Sequence, residues 1–196
     1  MATDLKGFWT GGLTSVKDPK RNFRFKVSFL GTGTGEGPLT DGGIWYAKSV
    51  IQPSITFTES THDFMMHKYY WPAKATWNEV DIVLVDPVEP DSTTNLLSVL
   101  ADSGFTIPSN AADTVAFQSV SKAGATSALG NILCEQLDAE GNTNHSWKLV
   151  HAWAKEVSFS NLDYTNEDLM EITLKVRYDW AEFASNTLGT QTLFSV

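Results

Sequence analysis

The chain has 196 residues, 42% of them hydrophobic and 19% charged; at this length roughly 70% of the unfolded surface can be buried, which excludes disorder as the main state. Its formal net charge of -9 is the wrong sign for a protein that grips nucleic acid by neutralising phosphates. Cys134 is the single cysteine, so no disulfide within the chain can staple the fold, and no run of about 18 apolar residues offers a membrane anchor.

Residues 1–22 carry Gly, Thr, Lys and Pro without periodicity, and Phe8 and Trp9 among them mark an N-terminal arm that docks elsewhere. From Phe23 the pattern alternates strictly, with Phe23, Phe25, Val27 and Phe29 on one face and Arg24, Lys26 and Ser28 on the other, as in a strand with one wet face. The glycines from Gly31 to Gly37 invite a phosphate-loop reading. Glu36 holds the position where a dinucleotide fingerprint needs its third glycine, and Pro38 follows, so the stretch reads as a flexible connection.

Residues 44–50 and 54–64 read as two strands split by Pro53. The second leads into Phe64-Met65-Met66-His67-Lys68-Tyr69-Tyr70-Trp71-Pro72, core in a monomer or a contact surface in an assembly, since aromatics and Met are enriched at interfaces. The near-continuous run Val80, Ile82, Val83, Leu84, Val85 predicts a strand covered on both faces. Asp91 and Ser92 can cap one helix whose Leu96, Leu97, Val99 and Leu100 share a side, and Gly104 ends it. Residues 107–130, rich in Ala, Ser and Thr, read as a loop insertion.

Beyond Gly130 the pattern is strand, turn, strand, strand, turn, strand. Residues 132–137 and 146–154 flank the turn-rich segment 138–144, and Met170, Ile172, Leu174, Val176, Tyr178 and Trp180 alternate with polar partners in one long strand. The expected organisation is an N-terminal arm over 1–22, a β domain over 23–183 and a C-terminal arm over 184–196 with an apolar Leu193-Phe194.

Motifs for catalysis fail in turn. Gly124-Ala125-Thr126-Ser127 misplaces the serine of a nucleophile elbow, and no Gly-Lys-Ser/Thr makes a P-loop. His62, Asp63 and His67 lack the one-turn spacing of a zinc helix. Asp138, Glu140, Asn142 and Asn144 misplace the glycine of a calcium loop. Cys134 sits in a strand pattern and reads as buried filler. No enzyme, metal or cofactor is expected. Between Lys74 and Lys122 the chain has no Lys, Arg or His, while Glu79, Asp81, Asp86 and Glu89 fall there, a solvated face or a candidate anionic wall.

The C-terminal half carries specific residues: Leu137-Asp138-Ala139-Glu140-Gly141-Asn142, then Ser146-Trp147-Lys148-Leu149, His151-Ala152-Trp153, and the alternating strand from Met170 to Trp180. This pattern resembles the tail tube proteins of contractile-tailed bacteriophages, and Asp18-Pro19 with Asn22 to Val27 resembles that family's opening strand. Ala154 and His151 depart from the proline and asparagine usual at the corner.

The resemblance implies a β-sandwich or barrel-like domain with one α-helix, an extended hairpin and terminal arms, six copies to a ring and rings stacked into a hollow tube. It implies a sheath around that tube and tape measure, baseplate and tail terminator proteins as partners. Genomic DNA would pass through the lumen without specific binding. The protein would be made in the host cytoplasm and reside in the virion tail. On this reading Phe57, Phe64, Met65, Met66, Tyr69, Tyr70, Leu193 and Phe194 are expected at subunit interfaces, and Glu79, Asp81, Asp86 and Glu89 on the lumen wall, where like charge repels phosphate. A tube protein of a tailocin or other contractile injection system is the nearest alternative. A monomeric carbohydrate-binding β-sandwich, stacking sugars on Trp and Tyr, is the alternative from another class.

Overall fold

A computed structural model describes residues 19–30, 47–89, 91–108, 119–165, 167–185 and 191–192. The strands are β1 Phe25–Phe29, β2 Ala47–Val50, β3 Ile55–Phe64, β4 His67–Trp77, β5 Val80–Val85, β6 Ile132–Leu137, β7 Thr143–Val150, β8 Trp153–Phe159, β9 Glu171–Arg177, β10 Trp180–Ser185 and β11 Gln191–Thr192. Helices α1 Ser92–Asp102 and α2 Lys122–Leu129 lie between β5 and β6. The strands form a five-stranded sheet in the order β1-β6-β7-β10-β11, a four-stranded sheet β2-β5-β9-β8, and a separate β3-β4 pair, all antiparallel. The expected mainly β, sandwich-type domain with an extended hairpin is present.

Alternation builds the core. Val80, Ile82 and Leu84 of β5 and Ile172, Leu174 and Val176 of β9 point inward from one sheet, and Val27, Ile132, Leu149 and Ala181 do so from the other. Each fully buried aliphatic chain of this kind contributes about 1.5–3 kcal/mol. Leu96 and Val99 of α1, with Ala128 and Leu129 of α2, close one side. Cys134 is buried in the same core, where desolvation raises its thiol pKa to about 12 and leaves it without nucleophilic character.

Two long strands make the sandwich continuous. β7 passes into β8 through His151-Ala152, and β9 passes into β10 through Tyr178-Asp179; β7 pairs with β10 and β8 with β9. The two strands are therefore one ribbon bent from one sheet into the other. His151 bends it at φ 53, and the Asp179 amide donates to the Val150 carbonyl across the corner.

Three sequence expectations change. Residues 107–130 are not a loop throughout: Ser121 accepts from the Gly124 amide to cap α2, and Gly130 at φ 72 ends it, so the described residues hold two helices rather than one. The buried side of α2 is Ala125, Ala128 and Leu129, too small in volume to give a helical stripe. Segment 146–154 is not one strand but breaks at the His151 corner, as 170–180 breaks at Tyr178-Asp179. β5 is covered fully on one face only, since Asp81, Val83 and Val85 are half-buried and look outward. In the C-terminal segment, Ala184 and Ser185 complete β10, and the backbone of Gln191 and Thr192 returns to pair with them. Residues 1–18, the connection from Gly31 to Pro38, residues 109–118, Leu193 and Phe194 lie outside the described residues.

The end of the N-terminal segment is pinned to the five-stranded sheet. The Lys20 ammonium donates to His145 Nδ1 at 3.0 Å, and Gln136 Nε2 donates to the carbonyls of Arg21 (2.7 Å) and Arg24 (3.0 Å).

Candidate assembly surface

Strands β3 and β4, of 10 and 11 residues, pair from Ile55↔Trp77 at the base to Phe64↔His67 at the tip. Every residue of the hairpin except Trp77 is exposed. At about 3.4 Å per residue the hairpin is roughly 35 Å long, and none of the described residues buries its outer part. Its attachment is specific. The Asn78 side-chain amide donates to Ser54 Oγ and Thr56 Oγ1, both at 2.9 Å, and Trp77 packs against Tyr178 with ring centroids 6.0 Å apart. A register shift beyond Phe57 is bridged by Thr58, whose hydroxyl accepts from the Lys74 amide and donates to its carbonyl.

The pairing gives the outer hairpin two unlike faces. One carries His62, Phe64, Tyr69 and Trp71, with His62 edge-on to Trp71 at 6.2 Å and Tyr69 tilted against it at 6.1 Å. The other carries Glu59, Asp63, Lys68 and Tyr70, with Lys68 3.7 Å from Asp63. At the tip Met65 and Met66 are 88% and 96% exposed, and Met65 holds φ 53, where a two-residue hairpin turn prefers glycine. A bulky apolar residue in a left-handed position, with nothing to pack on, has no folding rationale.

Of the expected interface residues, Phe57, Phe64, Met65, Met66, Tyr69 and Tyr70 all stand exposed on this hairpin. Trp71 and His62 share the face of Phe64 and Tyr69 and were missed, although the period-2 alternation of His67, Tyr69 and Trp71 carried the signal. His62, Asp63 and His67 do not converge: Asp63 faces Lys68 on the other face from the two histidines. Among the described residues no group of three His, Cys, Asp or Glu is placed to hold a metal ion.

The four expected wall carboxylates are spread along β5 rather than clustered. Glu79, just before its start, pairs with Lys155 and, at 3.7 Å, with Arg177. Asp81 lies opposite Lys175, which pairs with Glu156 at 2.9 Å. Asp86, just past its end, accepts the amides of Ser92 and Thr93 and so secures the α1 N-terminus, while Glu89 is exposed. Lys48 pairs with Glu171 at that end. The outer face of the four-stranded sheet is thus a ladder of alternating charge in which Lys48, Lys155, Lys175 and Arg177 each have a carboxylate partner.

The two ends of that sheet differ. At the end where β8 passes into β9, the segment from Ser160 to Met170 has Asp163, Glu167 and Asp168 and no Lys, Arg or His. Leu162 and Leu169 are 77% and 72% exposed there, and Tyr164 is fully so. Asp86, Glu89 and Asp91 lie at the same end, since the Asp86 amide donates to the Met170 carbonyl. At the opposite end a cavity of about 670 Å³ opens between the hairpin base, the start of α2 and the ribbon corner, lined by Trp77, Lys122, Trp153, Arg177, Tyr178 and Asp179 among others. Asp179 accepts from Lys122 at 2.7 Å and from His151 Nδ1 at 3.0 Å; the Lys122 bond, then that of His151, holds its carboxyl below the usual pKa. The Tyr178 hydroxyl is buried without a partner, and desolvation raises its pKa to about 12.

No family model matches the chain, and no curated protein matches it in sequence. Solved structures do match in fold. A chain of the anti-feeding prophage baseplate, six-fold symmetrised, aligns with TM-score 0.62 and 14% identity over 87% of this chain and 98% of that one. A chain of the sheath/tube terminator of an extracellular contractile injection system, PVC, gives 0.60 at 13% identity over 87% and 100%. A chain of the sheath-tube complex of that system gives 0.58 at 14% over 85% and 92%. The fold is one that recurs in contractile injection assemblies.

Proposed function

We propose that this chain is the structural subunit of the tube of a contractile tail, assembling as stacked hexameric rings around a lumen. The observation that carries this reading is the β3-β4 hairpin: a two-stranded ribbon with an aromatic face and a strained methionine tip, joined to a well-packed sandwich that makes no use of it. An isolated hairpin is marginal in water, so an exposed one of this length is explained by a partner surface. The fold match, which includes a six-fold symmetrised assembly, supports another copy as that partner.

Among the described strands β2 and β8 are the edges of the four-stranded sheet, and there neighbours would continue the sheet around a ring. Its charge ladder would face the lumen, with Asp81 and Glu79 on the wall, and would offer a passing polyanion no unpaired cation from Lys48, Lys155, Lys175 or Arg177. That suits a bacteriophage tail through which genomic DNA passes, with sheath, tape measure, baseplate and terminator proteins as its partners. A tailocin or other injection system carrying protein is the second reading, favoured by the source of the fold matches.

Negative-stain electron microscopy of the purified protein, fresh and after concentration, tests the proposal. Rings or hollow tubes of uniform diameter are expected. Small monodisperse particles at every concentration, with glycan binding by that monomer, would support the carbohydrate-binding alternative instead.

A further inference from the structure

The two ends of the four-stranded sheet are complementary in charge and in shape. β9 spans seven residues between them, about 23 Å. One end projects the turn after β8, apolar through Leu162 and Tyr164 and anionic through Asp163 and Glu167. The other holds a concave site with two tryptophans, Trp77 and Trp153, and a rim on which three cations, Lys122, Arg177 and Lys155, share two carboxylates, Asp179 and Glu79. Tyrosine flanked by carboxylates meeting tryptophan flanked by cations is the pairing expected at the desolvated centre of a protein interface.

Within one copy the turn and the cavity face opposite ways, so the complement of each is available only on another copy. A contact between different patches of identical chains is heterologous and propagates along its axis instead of closing on itself. We infer that the turn after β8 of one copy docks into the Trp77-Trp153 cavity of the next, fixing the direction in which rings stack. This rests on the ring-and-tube reading above and adds to it a site and a polarity.

Crosslinking reads the docking directly, because Cys134 is buried and leaves surface thiols free of background. The chain carrying both Y164C and A75C, treated with a short bismaleimide after assembly, is expected to give a ladder of covalent oligomers on a denaturing gel. Neither single variant should give one. In parallel, L162S/Y164S, altered only at exposed positions, is expected to form rings but to need about tenfold more protein or higher to form tubes. Normal tubes without a ladder, or normal tubes from L162S/Y164S, would overturn the docking and leave the ring reading standing. A wild-type protein that forms no rings at any concentration would contradict the ring reading itself, and the docking with it.

Discussion

The sandwich and the hairpin follow the same alternating pattern and put it to opposite use. In β9 the alternation buries Ile172, Leu174 and Val176 completely; in β3 and β4 it gathers His62, Phe64, Tyr69 and Trp71 on a face that none of the described residues covers. Period 2 therefore reports that a strand has a face, and says nothing about which molecule covers it. A core face answers to folding free energy, while an uncovered one answers to assembly.

Substitutions can separate the two. Leu174→Ala should cost the isolated protein about 2–5 kcal/mol in urea unfolding, through lost transfer energy and a residual cavity. Tyr69→Ala with Trp71→Ala should leave that unfolding curve almost unchanged while abolishing ring formation in the microscope; a loss of stability as large as that of Leu174→Ala would erase the distinction.

Smaller effects sharpen the boundary of the folded unit. A Cβ on Gly124 would lie 2.8 Å from the Ser103 carbonyl oxygen, so Gly124→Ala should force α1 and α2 apart at a cost of about 1–3 kcal/mol. Ser121→Ala, which removes the α2 cap, should cost about 1 kcal/mol.

The root of the N-terminal segment gives a pH-dependent version of the comparison. Burial, and then the Lys20 ammonium, hold the His145 imidazole below its ordinary pKa of 6.5. A lowered folded-state pKa means that the unfolded chain binds the proton first. The stabilisation is therefore present above pH 6.5 and is lost as pH falls through the folded value. Unfolding free energy should decrease on going from pH 7 to pH 5, and His145→Gln should flatten that decrease. An unchanged slope in the variant would remove His145 from this role.

Much of the architecture was legible because it lies in local pattern: the strand at β1, the first hairpin strand, the Asp91-capped helix and the turn at Asp138, whose carboxylate accepts from the Glu140 and Asn142 amides. The ribbon corner was not legible, since alternation runs unbroken through Tyr178-Asp179 and the positive φ of His151, a non-glycine residue, leaves no mark in composition. α2 was not legible because its buried side is made of alanines. The exposed hairpin residues Phe57, Phe64, Met65, Met66, Tyr69 and Tyr70 could be named in advance from the density of aromatics and Met in that segment. The Trp77-Trp153 cavity could not, because it draws on the hairpin base, α2, β8 and the β9-β10 corner, segments brought together only by the fold.

The most direct measurement excises the hairpin. Phe57 and Ala75 are paired across it, so joining them through Asn-Gly in place of residues 58–74 keeps the register and removes the outer ribbon. If the hairpin serves assembly, the shortened protein unfolds cooperatively with nearly the wild-type midpoint, and negative-stain images show rings or tubes for the full chain and single particles for the shortened one. Tubes from the shortened chain, or its failure to fold, would contradict the assignment of this ribbon to assembly.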